Sequence, residues 1–455
     1  MKNQHSAKRL NHPFKRSAMA AVIAGLCATP VWATPGTPLG APVHVNALGT
    51  RGEQPSVARG ANGTFLVIWN DFTDACFGVC AQLFNANGTP KGPAFLAGAN
   101  ESSIDDLSVS SDHAGNFVVA WVTSPFRPSG LLTSDLTYVR AQRISADGSL
   151  LGAPIQVTKE TFPDLLGVVR VQKVHNVRAS VAVDADGDFV VAWRTAADST
   201  ERFGTYYHQF ALSSAQAAIH ARRYNAAGVA QGSAITVEAK AQLVELNSGD
   251  YTITEPALAI DDDGDFVVSW WSASPTTQIQ ARRYDASGKA QGSRLAVASG
   301  SVGFPAVGMD AVGNFVVSWN QSGSGDNIVA QRFNTAGVAQ GSLLTVQNYP
   351  SPYQQPTTPV LSMAADGSFV IAWSTLISSA TVSIYPPFVG IYARPFTAAG
   401  SPRSPTFAVH VDGATGEGQS EPSIAFDSAG NIIGAWNETS AYYSDDVYVQ
   451  RFSGN

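Results

Sequence analysis

The chain has 455 residues, only 14% of them charged, with 41 glycines, 25 prolines and a mean hydropathy near zero. That length allows a large core or several domains, and a low charge combined with many turn formers argues for an all-β chain and against a helical or disordered one. The net charge of −7 argues against nucleic acid or an anionic membrane as partner.

Residues 1–33 read as a secretory signal peptide. Lys2, Lys8, Arg9, Lys15 and Arg16 form a basic leader, Ala18 to Leu26 are apolar, and Val31-Trp32-Ala33 offers a small-x-small cleavage site. The apolar run is short for a membrane span, and Leu26 before Cys27 argues against a lipoprotein site. Cleavage removes five cations and no acid, so the exported chain is more acidic than the whole. Of the three cysteines, Cys76 and Cys80 remain, an even pair expected to form a local disulfide outside the cytoplasm. The expected location is secreted or periplasmic.

From residue 51 onward one phrase dominates. In its third copy it reads Val181-Ala-Val-Asp-Ala-Asp-Gly-Asp-Phe-Val-Val-Ala-Trp193, and seven copies end at Trp69, Trp121, Trp193, Trp270, Trp319, Trp373 and Trp436. Each copy divides into four short strands, a to d. In the fourth copy these are Ala257 to Ile260, Phe266 to Trp270, Ile279 to Tyr284 and Gln291 to Val297. The a–b turn carries a glycine in every copy, preceded three residues earlier by Asp112, Asp184, Asp261, Asp310 or Asp427 in five of them. This is the chemistry of a type I turn followed by a left-handed residue. Strand a has a small face (Ala58, Ser110, Ala182, Ala259, Gly308, Ser362, Ala425), which suits strands that converge on an axis.

Four antiparallel strands per copy predict a single seven-bladed β-propeller over residues 34–455. The last copy ends after strand c, while Gly36-Thr-Pro-Leu-Gly-Ala-Pro-Val-His-Val45 matches a strand d such as Gly88 to Leu96. The N-terminal strand is therefore expected to complete the last blade and close the ring. The pattern Asp310 to Trp319, Ala330-Gln-Arg-Phe333, Gly337 and Gly341-Ser342 resembles a repeat of bacterial secreted and adhesin-like proteins. The resemblance implies a propeller architecture and export, with little said about activity. The alternating Ala-Arg-Arg-Tyr strands are expected to place arginines between blades rather than on a basic surface.

The a–b and c–d turns are short and uniform, whereas the b–c and d–a connections on the opposite face are long and varied. Varied loops on a rigid scaffold are the expected home of a binding site. Trp271, Tyr206, Tyr207, His208, Tyr442 and Tyr443 are the candidate ligand-binding residues, with flat rings beside polar groups suited to sugars or peptides. Trp271 should point opposite Trp270. Asp184-Ala-Asp186-Gly-Asp188 resembles a calcium loop, but its glycine comes too early and three later copies keep the turn with fewer acids, so no cofactor is expected and calcium is a minor alternative. No nucleophile, metal-ligand or phosphate-loop motif assigns catalysis.

The expected function is therefore that of a monomeric, non-catalytic binding propeller whose loop face takes carbohydrate or a surface protein, with no membrane insertion. A glycan-acting hydrolase or lyase using loop-face carboxylates and a structural or adhesive module are the alternatives.

Overall fold

Each run ending in the repeated tryptophan becomes the second strand of a four-stranded antiparallel sheet, and seven such sheets stand in a ring as a seven-bladed β-propeller. The structure is a computed structural model that describes residues 35–46, 51–71, 73, 76–98, 103–124, 138–159, 170–173, 179–203, 206–208, 216–242, 256–272, 277–303, 305–322, 326–349, 354–377, 388–411, 418–439 and 445–454. Ala33–Asn455 forms one compact unit. The proposed leader lies outside the described residues, and among those described no helix is long and apolar enough to cross a membrane.

Blade 4 gives the plan: a is Ala257–Ile260, b is Phe266–Ser272, c is Gln278–Tyr284 and d is Leu295–Ser299, hydrogen-bonded in that order. Strands a are innermost. They touch one another all round the ring, including Gly418–Phe426 of blade 7 against Gly52–Arg59 of blade 1. Among the described residues no ladder joins them, and small side chains satisfy their inner amides: Val57, Val181 and Val183 donate N–H to Ser423, Ser108 and Ser110 Oγ at 3.1, 3.1 and 3.2 Å. The small face of strand a thus permits close approach and also supplies hydroxyl acceptors.

Strand b is buried on both sides, because alternate residues enter alternate seams. Among the described residues the core divides into seven clusters, one at each seam between neighbouring blades. The seven repeated tryptophans are at most 2% exposed. At the other end of strand b a second aromatic pair recurs. Phe65 stacks on Phe84, Phe189 on Tyr224, Phe266 on Tyr284, Phe315 on Phe333 and Phe369 on Phe396, with centroids 4.8–5.0 Å apart. Each such pair adds about 0.5–1.5 kcal/mol beyond its burial.

The arginines of strand c lie between blades, as their alternation predicts. Arg143, Arg223, Arg283, Arg332 and Arg451 each donate through a guanidinium N–H to a carbonyl in the c–d turn of the next blade: Ala226, Ser287, Thr335, Ala398 and Ala86. Blades 1 and 6 have Leu83 and Pro395 at that position. There a cation from the start of the d segment stands in, with Lys91 Nζ bonding Ala146 O at 3.3 Å and Arg403 lying against Gly430 of blade 7. The preceding position faces the other way, and Arg222, Arg282 and Arg394 reach the d-strand carbonyls of Val157, Val237 and Val346 in the previous blade.

Ring closure follows the expected route. Val43–His44 pairs with Asp445–Phe452, Val43 opposite Val449 and His44 opposite Tyr448, giving blade 7 its outer strand. The strand d boundaries differ from the sequence reading. In blade 3 regular pairing begins at Ile235 rather than Gln231, because Gly232 turns the chain at φ +83° after an isolated bridge from Tyr224 to Ala230.

Candidate functional site

The loop-face end of the central axis is built differently in three consecutive blades. In blades 3 to 6 strand a is four or five residues long. In blades 7, 1 and 2 it runs to eight or nine, as Gly418–Phe426, Gly52–Arg59 and Ser103–Ser111. The extra length is gained through a bulge at one repeat position, where pairing with strand b skips between Ser420 and Ser423, Glu53 and Ser56, and Asp105 and Ser108. Glu421, Gln54 and Asp106 occupy corresponding places inside these bulges.

Gln54 and Asp106 adopt left-handed backbone, with φ of 54° and 50°. For non-glycine residues this conformation costs about 1–2 kcal/mol each, and Gln54 also precedes a proline, which favours extended backbone. The two are joined across the seam, Asp106 donating its N–H to Gln54 Oε1 at 3.0 Å. Below them Asn70, buried at the end of strand b, donates Nδ2–H to Ile104 O at 2.9 Å. Gln54, Asp106 and Glu421 therefore hold one repeat position on three neighbouring innermost strands at their loop-face end. Sequence reasoning misses these three because they fall just before the point at which the repeat pattern starts strand a. The available signal is a polar residue two places before the strand-a serine in all three copies.

Blade 3 carries the second feature. The connection after Trp193, expected as loop, continues as strand b, which spans Phe189–Phe203. Its far half pairs on one side with Arg170–Lys173 and on the other with Tyr206–His208. The register sets Arg170 opposite Glu201, Glu201 opposite His208 and Phe203 opposite Tyr206. Tyr206, Tyr207 and His208 thus form the third strand of a small three-stranded flap. Tyr442 and Tyr443 lie outside the described residues.

Trp271 corrects an expectation. It does point opposite Trp270, which packs in the seam between blades 3 and 4. However, the alternation that separates them sends Trp271 into the seam between blades 4 and 5, in one cluster with Val302 and Trp319, at 9% exposure. It presents no free ring and acts in packing. Cys76 and Cys80 are disulfide-bonded and tie the b–c connection of blade 1 to the buried start of strand c. Asp71 is also structural: its Oδ1 accepts the N–H and hydroxyl of Thr73 at 2.8 and 2.5 Å, and its Oδ2 accepts Trp69 Nε1–H at 3.5 Å.

On the opposite face the acidic turns behave as turns. Asp184 Oδ1 accepts the N–H groups of Asp186 and Asp188 at 3.0 and 2.9 Å, and Asp261 does the same with Asp263 and Asp265 at 3.1 and 2.8 Å. Gly187 follows at φ +91°. Burial first, and the second carboxylate after it, push the Asp184 and Asp261 carboxyls up to about 6.

No family model matches the chain, and no curated protein matches it. Among solved structures it is similar to a protein of unknown function from Dyadobacter fermentans, at 13% identity over 91% of this chain and 98% of that one, with a TM-score of 0.49. It is also similar to a phage phi92 endosialidase (8% identity, 92% and 70% covered, TM-score 0.46) and to an α-L-arabinanase of Penicillium chrysogenum (11%, 77% and 93%, 0.40). Likenesses this distant say nothing of the chemistry of this chain.

Proposed function

We propose that the protein is an exported, monomeric binding propeller whose loop face takes a carbohydrate, with the axial mouth of blades 7, 1 and 2 as the centre of the site. The carrying observation is the pair of left-handed residues Gln54 and Asp106, hydrogen-bonded across a seam and held at one repeat position. Strained backbone outside glycine persists where surrounding structure over-determines it, and such positions cluster at ligand sites. An amide and carboxylates can satisfy the paired donor and acceptor character of sugar hydroxyls, and Tyr206 and Tyr207 lie on the blade 3 flap. The turn acids need no metal, and the acidic chain has no use for nucleic acid.

A glycan array probed with residues 34–455 tests this reading. Saccharide binding that Gln54→Ala and Asp106→Asn each weaken at least tenfold, with the melting temperature kept, is the expected result. Binding that survives both substitutions would move the site elsewhere, and no binding above a denatured control would remove carbohydrate as the ligand. One observation favours a second reading, a glycan-acting hydrolase: two acids, Glu421 and Asp106, flank Gln54 at the same repeat position. Release of reducing ends from an array hit, lost in Glu421→Gln while binding remains, would establish it.

A further inference from the structure

Five a–b turns begin with an aspartate, buried at Asp112, Asp184, Asp261 and Asp310 and half-buried at Asp427, and they differ in what stands four residues later. In blades 2, 5 and 7 it is asparagine. Asn116, Asn314 and Asn431 donate Nδ2–H to Oδ2 of Asp112, Asp310 and Asp427 at 2.8, 2.8 and 3.0 Å. The remaining oxygen of Asn116 faces outward and accepts the N–H of Ala146 in the c–d turn at 3.2 Å. In blades 3 and 4 the residue is Asp188 or Asp265. One oxygen makes the same outward contact, with the N–H of Ala226 at 2.7 Å or Ala286 at 2.8 Å. With that contact matched, the second oxygen stands where the asparagine carries its Nδ2, an acceptor in the place of a donor, and in blade 4 it accepts Gln291 Nε2–H at 3.0 Å.

We infer that each pair, Asp184–Asp188 and Asp261–Asp265, takes up one proton from solution, and that its hydrogen bond replaces the Asn–Asp bond of the sibling blades, so that the seams of blades 3 to 5 tighten in mild acid. Further acids surround both pairs, and Arg283 is the cation that interacts with Asp265 of blade 4. Asp186 and Asp263 lie in the same turns, and Asp112 of blade 2 points its Oδ2 at Gly187, as Asp184 does at Gly264 and Asp261 at Gly313. Asp262 pairs at the surface with His113 at 3.3 Å. Of the cations of strand c, Arg223 bonds Ser287 O, while Arg283 bonds Thr335 O and Gln291 O and also attracts the Asp265 carboxylate. Gln291 donates Nε2–H to Asp265 Oδ2 at 3.0 Å, which leaves Asp261 without that help. Asp261 and Asp265 line a cavity of about 240 Å³ with Arg283, Gln291, Gly313 and Thr335, through which solvent protons can reach the pair.

The sign follows from the raised carboxyls. Asp184 and Asp261 titrate at about 6 in the folded protein, against 3.8 for a free aspartate side chain. Their contribution to stability is complete below the unfolded value and is lost as pH rises through about 6. The test compares the melting temperature of the wild type and of Asp188→Asn/Asp265→Asn from pH 4 to 8. The two should agree near pH 4, and the wild type should fall below the variant between about pH 4 and 6.5 and keep that deficit up to pH 8. Unfolding of the wild type at pH 5 should release about two more protons than that of the variant. Curves that stay parallel across the range would overturn the inference. Carbon-13 NMR of the wild-type carboxyls reads it without a variant: Asp184 and Asp261 titrating below pH 4.5 would also overturn it. Asn116→Asp should add a third pair and deepen the loss at neutral pH.

Discussion

Asp310 and Asp261 differ little in their own contacts, since both accept two backbone N–H groups of a tight turn, yet the residue four places on gives one an amide donor and the other a second carboxyl. Single side chains in a repeat protein are best read against their siblings in this way. Trp271 illustrates the reverse. It has no sibling tryptophan, and its uniqueness makes it a ligand candidate, whereas its position one residue after a buried strand-b tryptophan sends it into the next seam. Trp271→Ala should cost about 3–5 kcal/mol of stability in urea unfolding, the range for emptying an aromatic core site. Trp271→Phe should bind any array ligand as the wild type does, and a tenfold loss of binding without loss of stability would restore it to the site.

At the scale of the element, the seam between blades is the unit that recurs. Each seam combines a cluster of strand-b and strand-c side chains with one cation reaching a turn of the next blade, the a–b turn at Gly430 for blade 6 and the c–d turn elsewhere. The cation comes from strand c in five blades and from the start of the d segment in blades 1 and 6, where Leu83 and Pro395 remove it. These bonds are partly exposed, so each is worth only about 1 kcal/mol. Replacing Arg143, Arg223 and Arg283 by Met one at a time should lower the urea midpoint slightly. The triple variant should lose about the sum of the three, because the bonds lie in separate seams and share no partner. A triple variant as stable as the wild type would show that apolar packing alone holds the blades. The a-strand bulges of blades 7, 1 and 2 are element-scale features too. Among the described residues, bulged strands a of eight or nine residues occur in these three neighbouring blades.

For the whole molecule, the decisive contact is between Val43–His44 and Asp445–Phe452. Gly36 N–H to Ser453 O at 2.9 Å, Leu39 N–H to Arg451 O at 2.8 Å and Val45 N–H to Val447 O at 2.8 Å extend it on both sides. His44 adds a hydrogen bond between its Nε2 and Asp446 Oδ1 at 3.0 Å. Deleting residues 35–46 would leave the strand Asp445–Phe452 as an open edge in blade 7. The truncated protein should melt several degrees lower and associate through that edge, as size-exclusion chromatography would report. A truncated chain that stays monomeric with an unchanged melting temperature would mean that the ring does not depend on this strand.

The repeat makes the architecture legible. Apolar alternation, a glycine in every a–b turn and tryptophans at one position suffice to predict blade number, strand order and the small inner face, because these depend on local propensity and on the period of side-chain direction. The inter-blade role of the strand-c arginines follows from the same alternation. The candidate site is far less legible. Tyr206 and His208 lie on a strand extension that reads as loop, since nothing in Thr195 to Phe203 marks pairing until Arg170–Lys173 and Tyr206–His208 are brought beside it. Trp271 reads as free because exposure depends on the neighbouring blade rather than on its own strand. Gln54, Asp106 and Glu421 are far apart in the chain and become one row only when ring closure sets blade 7 beside blade 1. The repeating unit is thus written in the amino acids alone, because its hydrogen bonds and its alternation are local. Which residues meet at the axis, and which are covered, is settled in three dimensions, because both depend on contacts between blades that no single repeat contains.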